Sequence, residues 1–536
     1  MLTGTRTIGL HETLLTPPAL PPPPTRHALL AFVLALAVIL QIGTAGWSDI
    51  HNGPEGYYAG NAREQLARGL TNPNEPPLLN WLLLGAFKTF GVTAMAARFP
   101  IALASIAAVG FTFLIGERLG GFWRGFVAAL LHLCSLGTVV WGRFVTPDPL
   151  FAALVGAAIY CGVCGYQGQQ KRRLWFAGVA ICTGLVCLTR GFAGLLYLAA
   201  IFLSLSLIFR EARLRFRGLL KFPNVLLFLA VVLPWPAWLY ATRNSPWQWL
   251  LRDSSSGEGV PLARFALQHL VWWFPTLLLV VPGLLFARRK IFRPHEFELA
   301  DALPLCWIGI GFVPLLFSPA RQDHQSVAMW SALALLAAVA WDRMPSRLRI
   351  AGLGLTSGFA LGVVICAATG ALPNLLPGEA WSALKWLVVA IGLVLLVVTA
   401  ASVYFVLRER EILAIVILCL GMVPIGLSLA EGMVRFDEQF SLADAATFLR
   451  ARLGDNGEVL YEGKPMSGSS LRFYLDRPFA SVDEGTALEK LSAPRPVYLI
   501  VDKDRAAYWQ QRLTERFHIY HQETTCGSHV IVSNQP

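Results

Sequence analysis

The chain has 536 residues, of which 55% are hydrophobic and only 14% are charged, and its mean hydropathy is +0.54. Soluble domains carry about 25% charged residues, so this composition excludes a soluble globular protein. The aromatic content of 11% excludes a disordered chain, because disordered chains are rich in charge and poor in aromatic residues. The formal net charge of +11 is typical of basic loops beside anionic headgroups, and no nucleic-acid motif accompanies it.

Apolar runs of membrane-spanning length occur along most of the chain. A Pro-rich tail at residues 1–27 precedes the first run, which covers about 28–47 and has no signal-cleavage site. Twelve further runs begin near Arg98, Phe122, Leu150, Leu174, Phe192, Phe222, Leu267, Ala302, Gln325, Ala351, Trp381 and Ile412. The sequence therefore predicts a mostly α, polytopic membrane protein with about thirteen transmembrane helices over residues 28–431.

Basic residues are concentrated in alternate loops, at 171–173, 210–221, 288–290 and 343–349. The other short loops carry about one Arg each. The positive-inside rule assigns the basic set to the cytoplasm. With an odd number of spans, the N-terminus is then cytoplasmic and the C-terminus lies outside. In a bacterium this predicts a multi-pass inner-membrane protein whose C-terminal domain is periplasmic.

Two segments of the outer side are long. Residues 48–97 alternate polar and apolar side chains at helical spacing, which predicts one or two amphipathic helices at the membrane interface. Residues 432–536 have an ordinary soluble composition and predict a small periplasmic α/β domain. Its predicted elements are helices at 442–453 and 505–517, strands at 459–461, 471–475 and 497–501, and a hairpin at 518–532.

Ionisable residues at the outer ends of the spans are functional candidates. A charge near the bilayer core is energetically costly, and such residues are usually found where they serve a function. Five motifs contain most of them: Pro54-Glu55-Gly56-Tyr57-Tyr58-Ala59, Asn74-Glu75-Pro76-Pro77-Leu78, the segment 141–149 with Arg143 and Thr146-Pro147-Asp148, Thr189-Arg190-Gly191, and the segment 318–324 with Arg321 and His324.

This order of motifs resembles that of the GT-C membrane glycosyltransferases, specifically the aminoarabinose-transferase and protein-mannosyltransferase-like group. That group has an acidic pair after the first span and a YA-x-x-AR-x-x-L helix behind it, which residues 58–66 match. It also has a TPD-type element after span 3, a Lys/Arg-Gly turn, a basic outer loop, about thirteen spans and a periplasmic C-terminal domain. The resemblance covers essentially the whole membrane part.

The resemblance implies transfer of a sugar from a polyprenyl-phosphate donor to a lipid, glycan or protein acceptor on the periplasmic face. The leaving phosphate needs fixed cations, and Arg binds phosphate in bidentate fashion. Topology ranks the candidates for this role as Arg190, Arg321 and His324, then Arg143 and Arg243. The acceptor hydroxyl needs a base, and the candidate catalytic carboxylates are Glu55, Asp148 and Glu75. Tyr57 and Tyr58 are candidates for substrate binding.

The sequence departs from the family pattern at two positions. Pro54 stands where the family has its catalytic Asp, so either Glu55 takes over, or Asp49 reaches in, or the acceptor needs no strong base. No Lys lies beside Glu75, where relatives often have one. Donor-phosphate binding would then depend more heavily on the arginines.

Other interpretations stay open at this point. Asp148 could cap span 4, since Asp before a Pro is good capping chemistry. Arg321 and His324 could contact headgroups, and acidic groups could hold a divalent metal, Mg²⁺ or Mn²⁺, against the phosphate. The alternatives to an enzyme are a lipid-linked sugar transporter or flippase and a catalytically inactive GT-C-like scaffold. No internal repeat is visible, and the candidate charges gather at one face, which favours the enzyme.

Overall fold

The computed structural model describes residues 22–69, 75–168, 171–243, 247–251, 259–291, 298–369, 378–454, 457–517 and 521–534. Most of the predicted Pro-rich tail, residues 1–21, lies outside this range. The first helix begins at Pro23, earlier than the predicted residue 28. Proline is favoured in the first turn of a helix because the N–H it lacks would have no partner there.

Helices make up the membrane part. They are α1 Pro23–Gln41, α2 Pro54–Arg68, α3 Leu78–Phe90, α4 Ala94–Gly120, α5 Phe122–Leu133, α6 Leu136–Trp141, α7 Pro147–Gln167, α8 Arg172–Ile208, α9 Arg210–Phe216, α10 Phe222–Val232, α11 Pro234–Arg243, α12 Gln248–Leu251, α13 Leu262–Trp272, α14 Thr276–Ile291, α15 Leu299–Phe317, α16 Trp330–Arg343, α17 Ser346–Thr369, α18 Gly378–Leu407, α19 Glu411–Arg435 and α20 Asp437–Phe440, with 3-10 helices at Arg217–Leu220 and Asp323–Met329.

Ten of the described helical segments are long and apolar enough to cross a membrane, and the chain is a multi-pass membrane protein. An eleventh span forms if α13 and the start of α14, which are bent by 98°, are counted together. The sequence predicted about thirteen. The two counts differ because α5 has only 12 residues and because the two predicted spans near Leu174 and Phe192, which are the two halves of α8, are counted here as one 37-residue element.

A sharp break divides α8 into two limbs at the predicted Arg-Gly turn. The backbone leaves helical geometry at Arg190 (φ −132°, ψ 16°) and Gly191 (φ 58°, ψ −144°). A Cβ on Gly191 would lie 2.5 Å from the carbonyl oxygen of Leu250, so only glycine fits both this φ and this contact. The break places Arg190 at the tip of a helical hairpin.

Two helices, α2 and α3, form within residues 48–97, the segment predicted to lie on the outer side. Pro54 begins α2 in the first-turn position that suits proline, and Gly69 ends it with a positive φ of 81°. The face of α2 that carries Glu55, Gly56 and Gly60 is buried. Their position at the membrane interface stays a prediction.

The C-terminal part is a small α/β unit, as predicted. Its elements are α21 Ala443–Arg452, β1 Glu458–Glu462, α22 Ser469–Tyr474, β2 Phe479–Val482, α23 Glu484–Leu491, β3 Val497–Asp502, α24 Ala506–Phe517, β4 His521–Cys526 and β5 His529–Ser533. The five strands form one sheet in the order β2-β1-β3-β5-β4, parallel across β2, β1 and β3 and antiparallel across β3, β5 and β4. Separate apolar clusters cover its two faces.

The predicted strand at 471–475 is wrong, because this segment is the helix α22. Its buried residues Leu471, Phe473 and Leu475 alternate as in a strand, but positions i and i+4 also share a helix face. Tertiary packing decides between the two periods: α22 lies against α2. Strand β2 and helix α23, which follow it, were not predicted.

The contact between α22 and α2 is close because α2 presents two glycines, Gly56 and Gly60. A Cβ on Gly56 would lie 2.5 Å from the backbone nitrogen of Ser470, and one on Gly60 would lie 2.8 Å from Cβ of Arg472. Ser469 Oγ accepts a hydrogen bond from the Gly53 N–H at 2.8 Å and donates to the Gly53 carbonyl at 2.9 Å. The C-terminal unit is therefore joined to the outer segment through backbone-level contacts.

Replacing Gly56 by alanine should loosen this junction. The added methyl group meets backbone atoms of residues 469, 470 and 51 at 2.5 to 2.8 Å, and backbone cannot move aside as a flexible side chain can. We expect a lower melting temperature and faster amide exchange in residues 466–476. The matched control is Gly85→Ala in α3, where a Cβ meets nothing within 4 Å. Equal behaviour of the two variants would contradict the close-contact interpretation.

Candidate active site

Three predicted site residues come together around one carboxylate. Asp148 accepts hydrogen bonds from Arg190 on one oxygen and lies 2.6 Å from Nδ1 of His324 on the other. The partners come from the first turn of α7, the break in α8 and the 3-10 helix that precedes α16. Asp148 is 1% exposed. We call these three residues the Asp148 cluster.

The start of α7 explains how Asp148 reaches this position. Thr146 is the N-cap, Pro147 is the first helical residue, and Asp148 follows in the first turn. The interpretation of Asp148 as the cap of this helix is therefore wrong. A carboxylate in the first turn is stabilised by the helix dipole, and Arg190 and His324 each contact one of its oxygens.

A small cleft with a volume of about 20 Å³ lies beside the cluster. Pro147 and Thr189, which directly precede Asp148 and Arg190, form part of its wall. Tyr58 and Glu75 line it from the outer segment, together with Asn61, Pro76, Leu79, Asn80 and Leu83. The hydroxyl of Tyr57 donates a hydrogen bond to Glu75. The structure thus groups Glu75 and Tyr58 with the neighbours of the Asp148 cluster.

Glu55 is placed differently from the other two candidate carboxylates. Both of its oxygens accept hydrogen bonds from the guanidinium of Arg98, each at 2.8 Å, and its side chain has no exposed surface. The backbone N–H groups of His51 and Val145 also donate to it, at 3.1 and 3.3 Å. Burial alone would raise the pKa of Glu55, but the charge and hydrogen bonds of Arg98 outweigh it and hold the pKa below its ordinary value.

Arg98 is a residue that sequence reasoning missed. It is 1% exposed, and it also donates to the carbonyl oxygens of Ala45 (2.9 Å), Ser48 (2.6 Å) and Asp49 (2.5 Å). An arginine near the start of an apolar span was the available signal, since such a residue needs a partner. The pair with Glu55 fixes the entry to α2 against α4.

Arg143 and Arg321 donate hydrogen bonds to groups other than Asp148. Arg143 is buried and donates to the hydroxyl of Thr44 and to the sulfur of Met433; burial and the nearby Arg98 lower its pKa to about 10. Arg321 donates to the carbonyl oxygens of Leu315, Val260 and Leu316 at 3.0 to 3.1 Å, across the end of α15. The side chain of Arg243 lies outside the described residues.

The part of the chain that the structure describes contains no ready set of metal ligands. No group of three or more His, Cys, Asp or Glu side chains there is arranged to hold a metal ion. In the Asp148 cluster both carboxylate oxygens already face Arg190 and His324. The described residues therefore do not fit a divalent cation at this position.

The sequence has one family match and one relative of partial length. Residues 74–238 match the family described as dolichyl-phosphate-mannose-protein mannosyltransferase. An uncharacterised protein of Aquifex aeolicus is 26% identical over 172 residues, which is 30% of this chain. The match spans only 34% of that relative's length.

Solved structures match over nearly the whole chain. ArnT from Cupriavidus metallidurans bound to undecaprenyl phosphate aligns with a TM-score of 0.79 at 19% identity, covering 95% of this chain and 98% of ArnT. The apo form of the same protein gives 0.78 at 20% identity, with the same coverage of both chains. The oligosaccharyltransferase AglB from Archaeoglobus fulgidus, in complex with an inhibitory peptide and a dolichol-phosphate, gives 0.50 at 12% identity, covering 95% and 74%.

The chain has the GT-C fold of membrane glycosyltransferases, in an arrangement similar to that of the aminoarabinose transferase ArnT. The resemblance inferred from the order of motifs is thereby confirmed. At these identities the structural likeness extends to the fold.

Proposed function

We propose that this protein is a glycosyltransferase that moves a sugar from a polyprenyl-phosphate donor to a lipid, glycan or protein acceptor. The observation that carries the proposal is the Asp148 cluster: a buried carboxylate holds Arg190 and His324 together beside a cleft that Glu75 lines. The likeness to ArnT, whose structure contains undecaprenyl phosphate, supports the class of donor.

Arg190 and His324 receive the donor phosphate. As the bond between the anomeric carbon and the phosphate oxygen breaks, negative charge grows on the phosphate, and fixed cationic donors stabilise it most strongly away from bulk water. Asp148 acts through these two residues. It accepts from the Arg190 guanidinium and fixes the orientation of the His324 ring through Nδ1.

Glu75 accepts the proton of the acceptor hydroxyl. Of the three candidate carboxylates, Glu55 is bonded through both oxygens to Arg98 and Asp148 is bonded to Arg190 and His324. Glu75, which accepts a hydrogen bond from the hydroxyl of Tyr57, is the one that lines the cleft. The acceptor oxygen attacks the anomeric carbon, its proton passes to Glu75, and the polyprenyl phosphate leaves. A single displacement of this kind inverts the anomeric centre.

The proposed location is the bacterial inner membrane, with the N-terminus in the cytoplasm and the C-terminal unit and the site on the periplasmic side. The basic loops at 171–173, 210–221 and 343–349 support this orientation. A C-terminal alkaline phosphatase fusion should be active in cells, and an inactive, stably expressed fusion would reverse the orientation.

A transfer assay tests the enzyme proposal. Membranes containing the protein receive radiolabelled polyprenyl-phosphate sugars, and labelled product is extracted. We expect transfer by the wild type and a loss of about 100-fold or more in Glu75→Gln, since general-base catalysis typically contributes 10²–10⁴-fold. The control is Glu64→Gln, which removes a half-buried carboxylate of α2 that pairs with the exposed Arg68.

Two outcomes would contradict the proposal at different levels. Full activity of Glu75→Gln would remove Glu75 from its role and leave the reaction class intact. A wild type that transfers no label from any donor sugar, yet moves the labelled lipid between leaflets, would replace the enzyme with a transporter.

A further inference from the structure

A large apolar groove lies between the two limbs of α8. Its volume is about 410 Å³, within the roughly 300–1,000 Å³ that is usual for ligand sites. The first limb contributes Val179 to Thr183 and the second Leu195 to Ser206, while α10 closes one side with Phe228. The exposed surface inside it is almost entirely apolar, which suits acyl chains.

One end of this groove is basic. The segment 210–221 crosses it and contains five basic residues and one acidic residue. Two of the arginines, Arg213 and Arg217, line the groove itself, and Asn224 lies beside them. Among the described residues, neither arginine makes an ion pair, whereas Arg215 is paired with Glu211 at 3.0 Å. Arg213 donates a hydrogen bond through Nε to the carbonyl oxygen of Ser206 at 3.1 Å, so a phosphate at the mouth would be bound by its terminal nitrogens and by Arg217.

The groove is separate from the proposed donor site. Its lining ends at Thr183 and Leu195, short of Arg190 at the tip of the α8 hairpin. The two arginines lie at the opposite end of the limbs. A ligand whose phosphate is held by Arg213 and Arg217 therefore lies with its chains between the limbs and its headgroup among the basic loops.

We infer that this groove binds an anionic phospholipid from the leaflet that faces the basic loops. Acyl chains fill the apolar space between the limbs of α8, and the headgroup phosphate pairs with Arg213 and Arg217. Basic pockets between transmembrane helices are suited to anionic headgroups in this way. The side chains of Leu220 and Phe222, next to the mouth, are exposed, so a lipid can enter the groove from the bilayer on this side.

Lipid-dependent stability of the full-length protein tests this site. Purified protein in detergent is titrated with dioleoyl phosphatidylglycerol or with dioleoyl phosphatidylcholine, which has the same chains and no net charge. We expect phosphatidylglycerol to raise the melting temperature at lower concentration. In Arg213→Gln/Arg217→Gln its apparent affinity should fall about 30-fold, since each basic side chain near an anionic surface contributes roughly fivefold.

Two further variants separate the groove from general surface charge. Arg210→Gln removes an exposed positive charge from α9, the helix that contains Arg213. Arg210 does not line the groove, so this variant should keep the wild-type affinity. Ala199→Phe places a ring within the groove without changing charge and should weaken binding of both lipids.

Three results would overturn the inference. The first is equal stabilisation by the two lipids. The second is a loss of phosphatidylglycerol affinity in Arg210→Gln as large as the loss in the double variant. The third concerns the lipid extracted from the purified protein and identified by mass spectrometry. The inference fails if this lipid is polyprenyl phosphate and not phospholipid, and if it is absent from Ala199→Phe. None of these readouts depends on sugar transfer, so the proposed function stands or falls separately.

Discussion

Replacing Arg190 by alanine should lower sugar transfer per folded molecule by at least about 100-fold. Removing one preorganised donor to a developing anion costs on the order of 10²–10³ in rate, and here Asp148 also loses one of its two partners. Arg190→Lys keeps the charge and loses the two-pronged geometry, so its activity should lie between those of alanine and wild type. Transfer from labelled polyprenyl-phosphate sugar measures the effect.

A control is needed because Arg190→Ala also leaves Asp148 with one partner fewer. Arg343→Ala breaks a similar contact, with Asp301 and Glu298, at the other end of the membrane part. It should lower the melting temperature while transfer per folded molecule stays near the wild-type value. If the two alanine variants lose activity equally, the effect of Arg190 is structural, and the phosphate site must lie elsewhere.

Replacing Glu55 by glutamine should act on stability. The change leaves the buried guanidinium of Arg98 without its counter-charge, and breaking a buried ion pair costs about 3–5 kcal/mol. We expect a clear fall in melting temperature and less than about a tenfold change in transfer per folded molecule. Glu64→Gln on the same helix breaks an exposed pair with Arg68 and should cost no more than about 1 kcal/mol.

The pH dependence gives an independent measure of the same pair. Because the folded-state pKa of Glu55 is held below that of the unfolded chain, its ionisation stabilises the fold at neutral pH, and this contribution is lost as pH falls through the folded pKa. The wild type should therefore lose stability on acidification more steeply than Glu55→Gln. If Glu55→Gln instead melts like the wild type and transfers about 100-fold more slowly, Glu55 is the catalytic base that the missing Asp at position 54 leaves open.

The sequence by itself determined the class of this protein. Its apolar runs are long enough to span a bilayer and too numerous for a soluble fold. Its charged residues cluster at the ends of the spans, because a charge inside the bilayer is costly. The polar C-terminal segment alternates apolar and polar residues, as the strands of a small sheet do. The order of short motifs was enough to indicate the GT-C fold. These properties depend on composition and on local periodicity, which a single chain displays directly.

Only the tertiary structure decided which partner each charged residue takes. Asp148, Arg190 and His324 meet across separations of 42 and 176 residues, and Glu55 turns to Arg98 across 43. Nothing local distinguishes Glu55 from Asp148, because both stand beside a proline at a helix start. The same holds for residues 471–475, which become a helix because α2 offers two glycines for close packing. Side-chain pairing and packing depend on segments that are distant in the sequence, so they cannot be predicted from a short motif.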